Sequence, residues 1–490
     1  MARLAARALR LGRSSLMQVG STALYQGHYR LSYLMSLLMW PGPAILVLPE
    51  SMRQTVQHTD IPLLQEWMPT QKPVHYGDSW PGADFQGILL TTPQAWLRNL
   101  IAQGDRFPAN IPVVIDSADH LEDWVRDCLT TTLDADAWQA LAQAYPHQQN
   151  LIRDTRVSLT HTIFQHPPNP YRCHLIDAIE QQQLITLQQT LLAGEFAHSA
   201  MPVAWRQFWQ QLDTADALLW VKLNRELGQW TLHSAPIDVA STVASYWQQQ
   251  PIVLIGGALD ISSDASHYRQ RLGLGEMTCL KFGPDRQTEE IQLYLPDGIP
   301  FPNTPEFQPV LLEELSHLLL MRTQDNGLTV VLVGDTPLKQ QVATVLAAQF
   351  GSRVQLENYQ PTDNGILVCG WRYWREHQVY LPRPQLLAIA TLPIPSLEDP
   401  LVAGRVAYYK RCRQDWFRLY LLPTALHELQ QAIAPARHNQ SLVALLDNRV
   451  NHRSYGRQIL DALSPVVRLH QRHALWLTEV TSVNQNRQGL

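Results

Sequence analysis

The sequence predicts an α/β protein with two parallel-sheet domains and a mostly helical insertion in the first. Three observations carry this expectation. Short apolar runs at 44–48, 87–90 and 113–115 alternate with helical patterns, and each ends in small or polar residues. That is the pattern of βαβ units, whose strands are buried on both faces by helices. From about Asp134 to Leu232 strand runs are few, Gln, Trp and His are frequent, and helical spacing takes over, as at Trp205, Phe208, Trp209 and Leu212. Strand-like runs then return at 252–255, 291–295, 328–333, 365–368, 386–390 and 442–446. The expected domains are 1–133 with 233–282, an insertion at 134–232, and 283–490, joined by a linker near 283–286.

The bulk composition narrows the class. A chain of 490 residues has room for two or three cores. Its 45% hydrophobic and 17% charged residues are those of an ordinary globular protein. A net charge of −5 leaves no global basic field, so nucleic-acid binding needs a local patch. The five cysteines (Cys128, Cys173, Cys279, Cys369, Cys412) lie far apart without a CxxC pair. Neither a zinc site nor an iron–sulfur cluster is indicated, and buried free thiols in a reducing compartment are expected. The first 49 residues hold five arginines and no acid, as a transit peptide would. The expectation is instead an N-terminal helix leading into the first strand. The apolar stretch 31–48 is split by Pro41, Gly42 and Pro43 into a helix and a strand, each too short to span a bilayer. A cytoplasmic protein without membrane contact is expected.

The last third carries a family resemblance. Leu392-Pro393-Ile394-Pro395-Ser396-Leu397-Glu398-Asp399-Pro400-Leu401-Val402-Ala403 resembles the LPFPxPxDPLVxA segment of DinG/XPD-type superfamily 2 helicases. Tyr420-Leu421-Leu422-Pro423-Thr424-Ala425 is similar to their YxLPxA, and Leu445-Leu446-Asp447-Asn448-Arg449-Val450 to LLDRRV. Tyr455-Gly456 stands where the family has KxYG, and Arg269-Gln270-Arg271-Leu272-Gly273-Leu274 resembles FxxRLGL. Each fragment is weak alone; their common order is specific and covers nearly the whole chain. The resemblance implies two RecA-like domains of the P-loop NTPase fold with a helical arch in the first. It also implies ATP and Mg²⁺ between the domains and single-stranded DNA across them.

The motifs that would handle ATP depart from the family. The run Val113-Val114-Ile115-Asp116-Ser117-Ala118-Asp119 delivers a carboxylate to a strand end, as a Walker B strand does before Asp-Glu-Ala-His. Asp116 stands at the Mg²⁺ ligand, but the glutamate position is Ser117, which cannot take a proton from water near neutral pH. A phosphate loop needs glycines for backbone approach and a lysine for the phosphates. Here the stretch contains Gly27-His28-Tyr29-Arg30, and either alignment puts His28 or Tyr29 at the lysine. The first lysine of the chain is Lys72. The coupling motif SAT appears as Gly256-Gly257-Ala258. SFWEGVD appears as Tyr373 to Val379, with Trp374 and Glu376 close to it. QGxGRxIR reads Gln431-Ala432-Ile433-Ala434-Pro435-Ala436-Arg437-His438, with Pro435 and His438 at the arginines. Arg437 is one residue out of phase, about 100° around a helix. The four cysteines of the iron–sulfur members are absent between Gly27 and Asp116.

These losses bear on one chemistry, since removing an arginine finger alone costs roughly 10³–10⁵ in rate. The expected protein keeps the helicase fold, has impaired or lost ATP hydrolysis, and acts as a single-stranded DNA binder or scaffold. One alternative is an active helicase that uses Arg30 for the lysine and Arg437 for the finger. Another is a protein-interaction module without DNA affinity. Single-strand binding uses aromatic faces and positive grooves. Trp371, Arg372, Tyr373, Trp374 and Arg375 are the expected nucleic-acid site, with Tyr408-Tyr409-Lys410-Arg411-Cys412-Arg413 as a second basic-aromatic run.

Overall fold

The computed structural model describes residues 1–68, 72–193, 201–214, 216–283, 289–321 and 327–469. Of the expected linker, only Gly283 lies within the described residues.

The first sheet has seven parallel strands. In spatial order they are Thr278–Lys281, Ser15–Gln18, Ile252–Gly256, Val113–Ile115, Ala44–Val47, Ile88–Thr91 and Val74–Tyr76. Its central strands are buried throughout, which is why they read as unbroken apolar runs. Helices bury a core on each face of this sheet. The helix Ala2–Leu11 closes on Gly12 in the left-handed region and leads to Ser15–Gln18, an interior strand. The helix Arg30–Met39 and the strand Ala44–Val47 flank Pro41 and Pro43 as expected.

The second sheet also has seven parallel strands. Their order is Val354–Leu356, Ile366–Cys369, Leu328–Leu332, Pro384–Ile389, Leu442–Leu445, Ile291–Tyr294 and Val466–Leu469. It too has a core on each face. The two sheets are RecA-like domains. No helix among the described residues is long and apolar enough to cross a membrane.

The insertion is mostly helical, with the helices Ala135–Ala144, Gln149–Gln165, Ala178–Leu192 and Val203–Leu212, and it also holds a sheet that was not expected. The sheet is four-stranded and antiparallel, in the order Thr131–Leu133, Gln229–Pro236, Ala217–Asn224, Cys173–Leu175. The two eight-residue strands form a hairpin through Gly228 at φ 62°. Leu218, Leu219 and Trp220 follow one another without alternation, so the strand signal was hidden. Trp205, Phe208, Trp209 and Leu212 all point from Val203–Leu212 into the insertion's core.

Candidate functional site

The strand Ser15–Gln18 enters the short helix Ser21–Gln26 through Gly20 at φ 80°, and that helix ends on Gly27 at φ 79°. Both angles lie where glycine alone is unstrained. His28 is exposed, and Arg30 opens the next helix. The Arg30 guanidinium folds back over Gly27, so that any Cβ there would collide with it. Its Nε donates to Asp60 at 2.7 Å, with both side chains 12% exposed. The cation beside the loop is thus already paired. Leu24 fills the space above Gly257, where an added Cβ would come within 2.9 Å of its methyl.

Asp116 ends the strand Val113–Ile115, whose neighbours are Ala44–Val47 and Ile252–Gly256. Its carboxylate is fully buried. The Tyr29 hydroxyl donates to Oδ1, the Tyr33 hydroxyl to Oδ2 at 2.5 Å, and the Ser117 backbone N–H to Oδ1 at 2.6 Å. A carboxylate offers about four acceptor directions, so three are taken. Tyr29 and Tyr33 lie one turn apart on a helix, with ring centroids 6.1 Å apart, and close together over the acid. Burial raises both phenols well above their ordinary range, and the charge of Asp116 adds to this. Burial also raises the Asp116 carboxyl, against the hydrogen bonds from Tyr29, Tyr33 and Ser117. Ser117 adopts the left-handed conformation at φ 56°, and its hydroxyl meets the Met52 sulfur at 3.5 Å. The arrangement holds a proton donor pair on an enclosed acid.

The domains meet at a second acid that sequence reasoning did not single out. Asp119, three residues on from Asp116, stands where Asp-Glu-Ala-His has its histidine. Its side chain is fully buried. It accepts from Gln431 Nε2 at 2.9 Å across the domain boundary and from the Gly257 N–H at 3.2 Å, with His120 Nε2 at 3.4 Å. His427 Nδ1 lies 2.7 Å from the Ala258 carbonyl oxygen, and His438 Nδ1 lies 2.6 Å from Gln26 Nε2. The loop that would cradle phosphate is therefore packed directly on the second domain. Its signal in the sequence was the spacing from Asp116, together with Gln431. Gln431→Ala leaves a buried carboxylate without its inter-domain donor. It is expected to cost about 1–3 kcal/mol in urea unfolding, and an unchanged midpoint would remove the inter-domain role.

Arg437 points away from this junction. It is 3% exposed, and its guanidinium donates to the carbonyls of Glu289, Leu463, Ser464 and Pro465. Burial lowers it to about 10. It secures a chain turn in its own domain and cannot serve as the finger proposed for an active helicase.

Of the residues expected to meet nucleic acid, Trp371 and Trp374 are buried. The helix Trp371–His377 turns Trp371 and Trp374 into the core of the second domain. Trp374 is 1% exposed and donates from Nε1 to the Ala432 carbonyl at 2.9 Å. Tyr373 stacks on His377 at 4.3 Å. Arg372 pairs with Glu376 and Arg375 with Glu428, each at 2.8 Å. A three-residue spacing puts the tryptophans on one helix face, and the sheet buries that face. In the second run, Arg411 is within 3.5 Å of Asp216, and Lys410 lies over the Trp416 ring at 5.3 Å.

Two RecA-like sheets meeting at motif positions define a helicase-type core. Residues 337–466 match the family described as Helicase C-terminal domain. The ATP-dependent DNA helicase YoaA of Escherichia coli (strain K12) is 23% identical over 255 residues. That match spans 49% of this chain and 40% of YoaA. Among solved structures, Xpd4 of S. tokodaii is 15% identical with a TM-score of 0.61, covering 96% of this chain and 98% of that one. An apo XPD structure is 12% identical with a TM-score of 0.60, covering 96% and 99%. Residues 337–466 are thus similar to a helicase C-terminal domain, the match to YoaA spans less than half of that protein, and the whole chain has the fold of the XPD structures.

Proposed function

We propose that this protein is a DinG/XPD-type helicase relic that binds single-stranded nucleic acid without turning over ATP. The observation that carries the reading is the fate of Asp116. A Mg²⁺ ligand must present oxygen lone pairs to a hydrated cation. Asp116 has no exposed surface, and two tyrosines and a backbone N–H hold it. Mg-nucleotide does not fit these residues. Tyr29 and Leu24 occupy the loop, Arg30 is tied to Asp60, and Gln26 lies against His438. Neither Arg30 nor Arg437 is free to replace a missing group, so no observation favours an active helicase.

What remains is a two-domain scaffold whose relatives include a protein named as a DNA helicase. Losing the motor does not remove the capacity to hold a strand, because strand binding uses rings and cations outside the nucleotide site. The test is nucleotide and oligonucleotide binding side by side. The expected result is salt-dependent binding of a single-stranded oligonucleotide, with no Mg-dependent ATP binding and no phosphate release. Duplex unwinding fuelled by ATP would overturn the reading, and binding of neither ligand would favour a pure protein-interaction module.

A further inference from the structure

The insertion gathers side chains of metal-ligand type far in sequence from the nucleotide cleft. The helix Gln149–Gln165 stops at His166, which takes φ −58° and ψ 139°. The cause is Pro167, because a proline ring disfavours the helical conformation in the residue before it. The chain then passes Pro168 and Pro170 to the strand Cys173–Leu175, and the helix Ala178–Leu192 follows. Asn169 fastens this turn. Its side chain accepts from the Tyr171 N–H at 3.0 Å and donates to the Cys173 carbonyl at 2.7 Å. Arg225, in the turn of the long hairpin, donates to the carbonyls of Phe164 and His166.

The turn brings His166 against the start of the second helix. Asp177 is the N-cap there, and its Oδ1 accepts from the N–H groups of Ile179 and Glu180, each at 2.8 Å. Glu180 completes a capping box, its Oε2 accepting from the Asp177 N–H at 3.0 Å. Each carboxylate thus uses one oxygen for the cap. Glu180 Oε1 instead faces His166 Nε2 at 3.0 Å. His166 Nε2 and one carboxylate oxygen each from Asp177 and Glu180 all lie within 4.8 Å of one another.

Capping does not account for this group, since a capping box needs no histidine from another helix. The Glu180 side chain is fully buried, and among the described residues no lysine or arginine pairs with it. An ionised carboxylate so enclosed is costly unless a positive charge offsets it. The His174 ring stacks on His166 at 4.9 Å and fixes the plane of the imidazole. A tetrahedral ion about 2.0–2.2 Å from each donor needs the donors about 3.3 Å apart. Asp177 is the exposed member, so the small closure this requires falls on a surface carboxylate.

We propose that His166, Asp177 and Glu180 form a binding site for a divalent transition-metal ion such as Zn²⁺. One imidazole and two carboxylates match the nitrogen and oxygen ligands of that ion, and three protein ligands leave a fourth position for water. The bound ion ties the end of one helix to the start of the next and stiffens the insertion. No thiol takes part, so the site is invisible to a search for cysteine pairs. The proposal does not depend on the nucleic-acid reading above.

The test uses the full chain, stripped with a chelator and titrated with Zn²⁺ alone, followed by calorimetry and thermal melting. The variants are His166→Gln and Asp177→Ser. Glutamine keeps an N–H donor for Glu180 and serine keeps an N-cap acceptor, so both are expected to fold, as melting before the addition of Zn²⁺ checks. The wild type should bind Zn²⁺ and melt at a higher temperature with it. Each variant should bind at least about tenfold more weakly, because even a change outside the ligand shell costs about 10–100-fold. Mg²⁺ at the same concentration should leave the melting temperature unchanged, since it takes oxygen ligands in an octahedron. If the wild type binds no Zn²⁺, or if both variants keep its affinity and melting shift, the site is wrong. If Mg²⁺ raises the melting temperature as much as Zn²⁺ does and His166→Gln is neutral, the carboxylates merely attract cations and the proposal fails.

Discussion

Asp116→Ala is expected to destabilise the protein by roughly 3–5 kcal/mol. The substitution strands the Tyr29 and Tyr33 hydroxyls and the Ser117 N–H in a buried site. Each orphaned donor costs about 1–3 kcal/mol, and relaxation within the shared site keeps the sum below a simple addition. That is a large part of the about 5–15 kcal/mol of a typical domain. Asp116→Asn keeps one acceptor oxygen and should cost less. It also isolates a pH dependence. Burial raises the folded carboxyl despite its hydrogen bonds, so the native state keeps the proton to higher pH than the unfolded chain. The stability contributed by this group is then present below about pH 4, near the unfolded value. It falls as the pH rises through the folded value. Urea unfolding of wild type and Asp116→Asn between pH 4 and 7 reads it directly. The asparagine variant should lose less stability over that range, and parallel curves would mean that the acid is not held as described.

Trp374→Ala is expected to cost about 3–5 kcal/mol, the range for a buried aromatic truncated to alanine. It empties a site beneath the second sheet and leaves the Ala432 carbonyl without its indole donor. Oligonucleotide affinity, measured on the folded fraction, should not change. A Trp374→Ala protein of full stability that no longer binds a strand would restore the role its sequence neighbours suggested.

The parts of the fold that were legible share a property. Runs such as 44–48, 113–115 and 442–446 sit inside parallel sheets, where both faces are covered, and they appear as uninterrupted apolar residues. Ser15–Gln18 and Ala217–Asn224 did not stand out. The first has a polar residue at each end and is only four long, and the second lies in a hairpin whose apolar residues do not alternate. The candidate site was legible by loss more than by content. The absence of lysine at Gly27–Arg30, of glutamate at Ser117 and of arginine at Pro435 and His438 is plain from residue identity.

Residue order was enough to establish two α/β domains and which charged groups the nucleotide cleft lacks, because burial along one element and the identity of a side chain are local facts. Which group meets which is not local. Tyr29 reaches Asp116 across 87 positions, and Gln431 reaches Asp119 across 312. Trp371 and Trp374 could face solvent or sheet with equal periodicity until the helix docked. Folding made those choices by burying apolar area and supplying each enclosed polar atom with a partner drawn from distant parts of the chain.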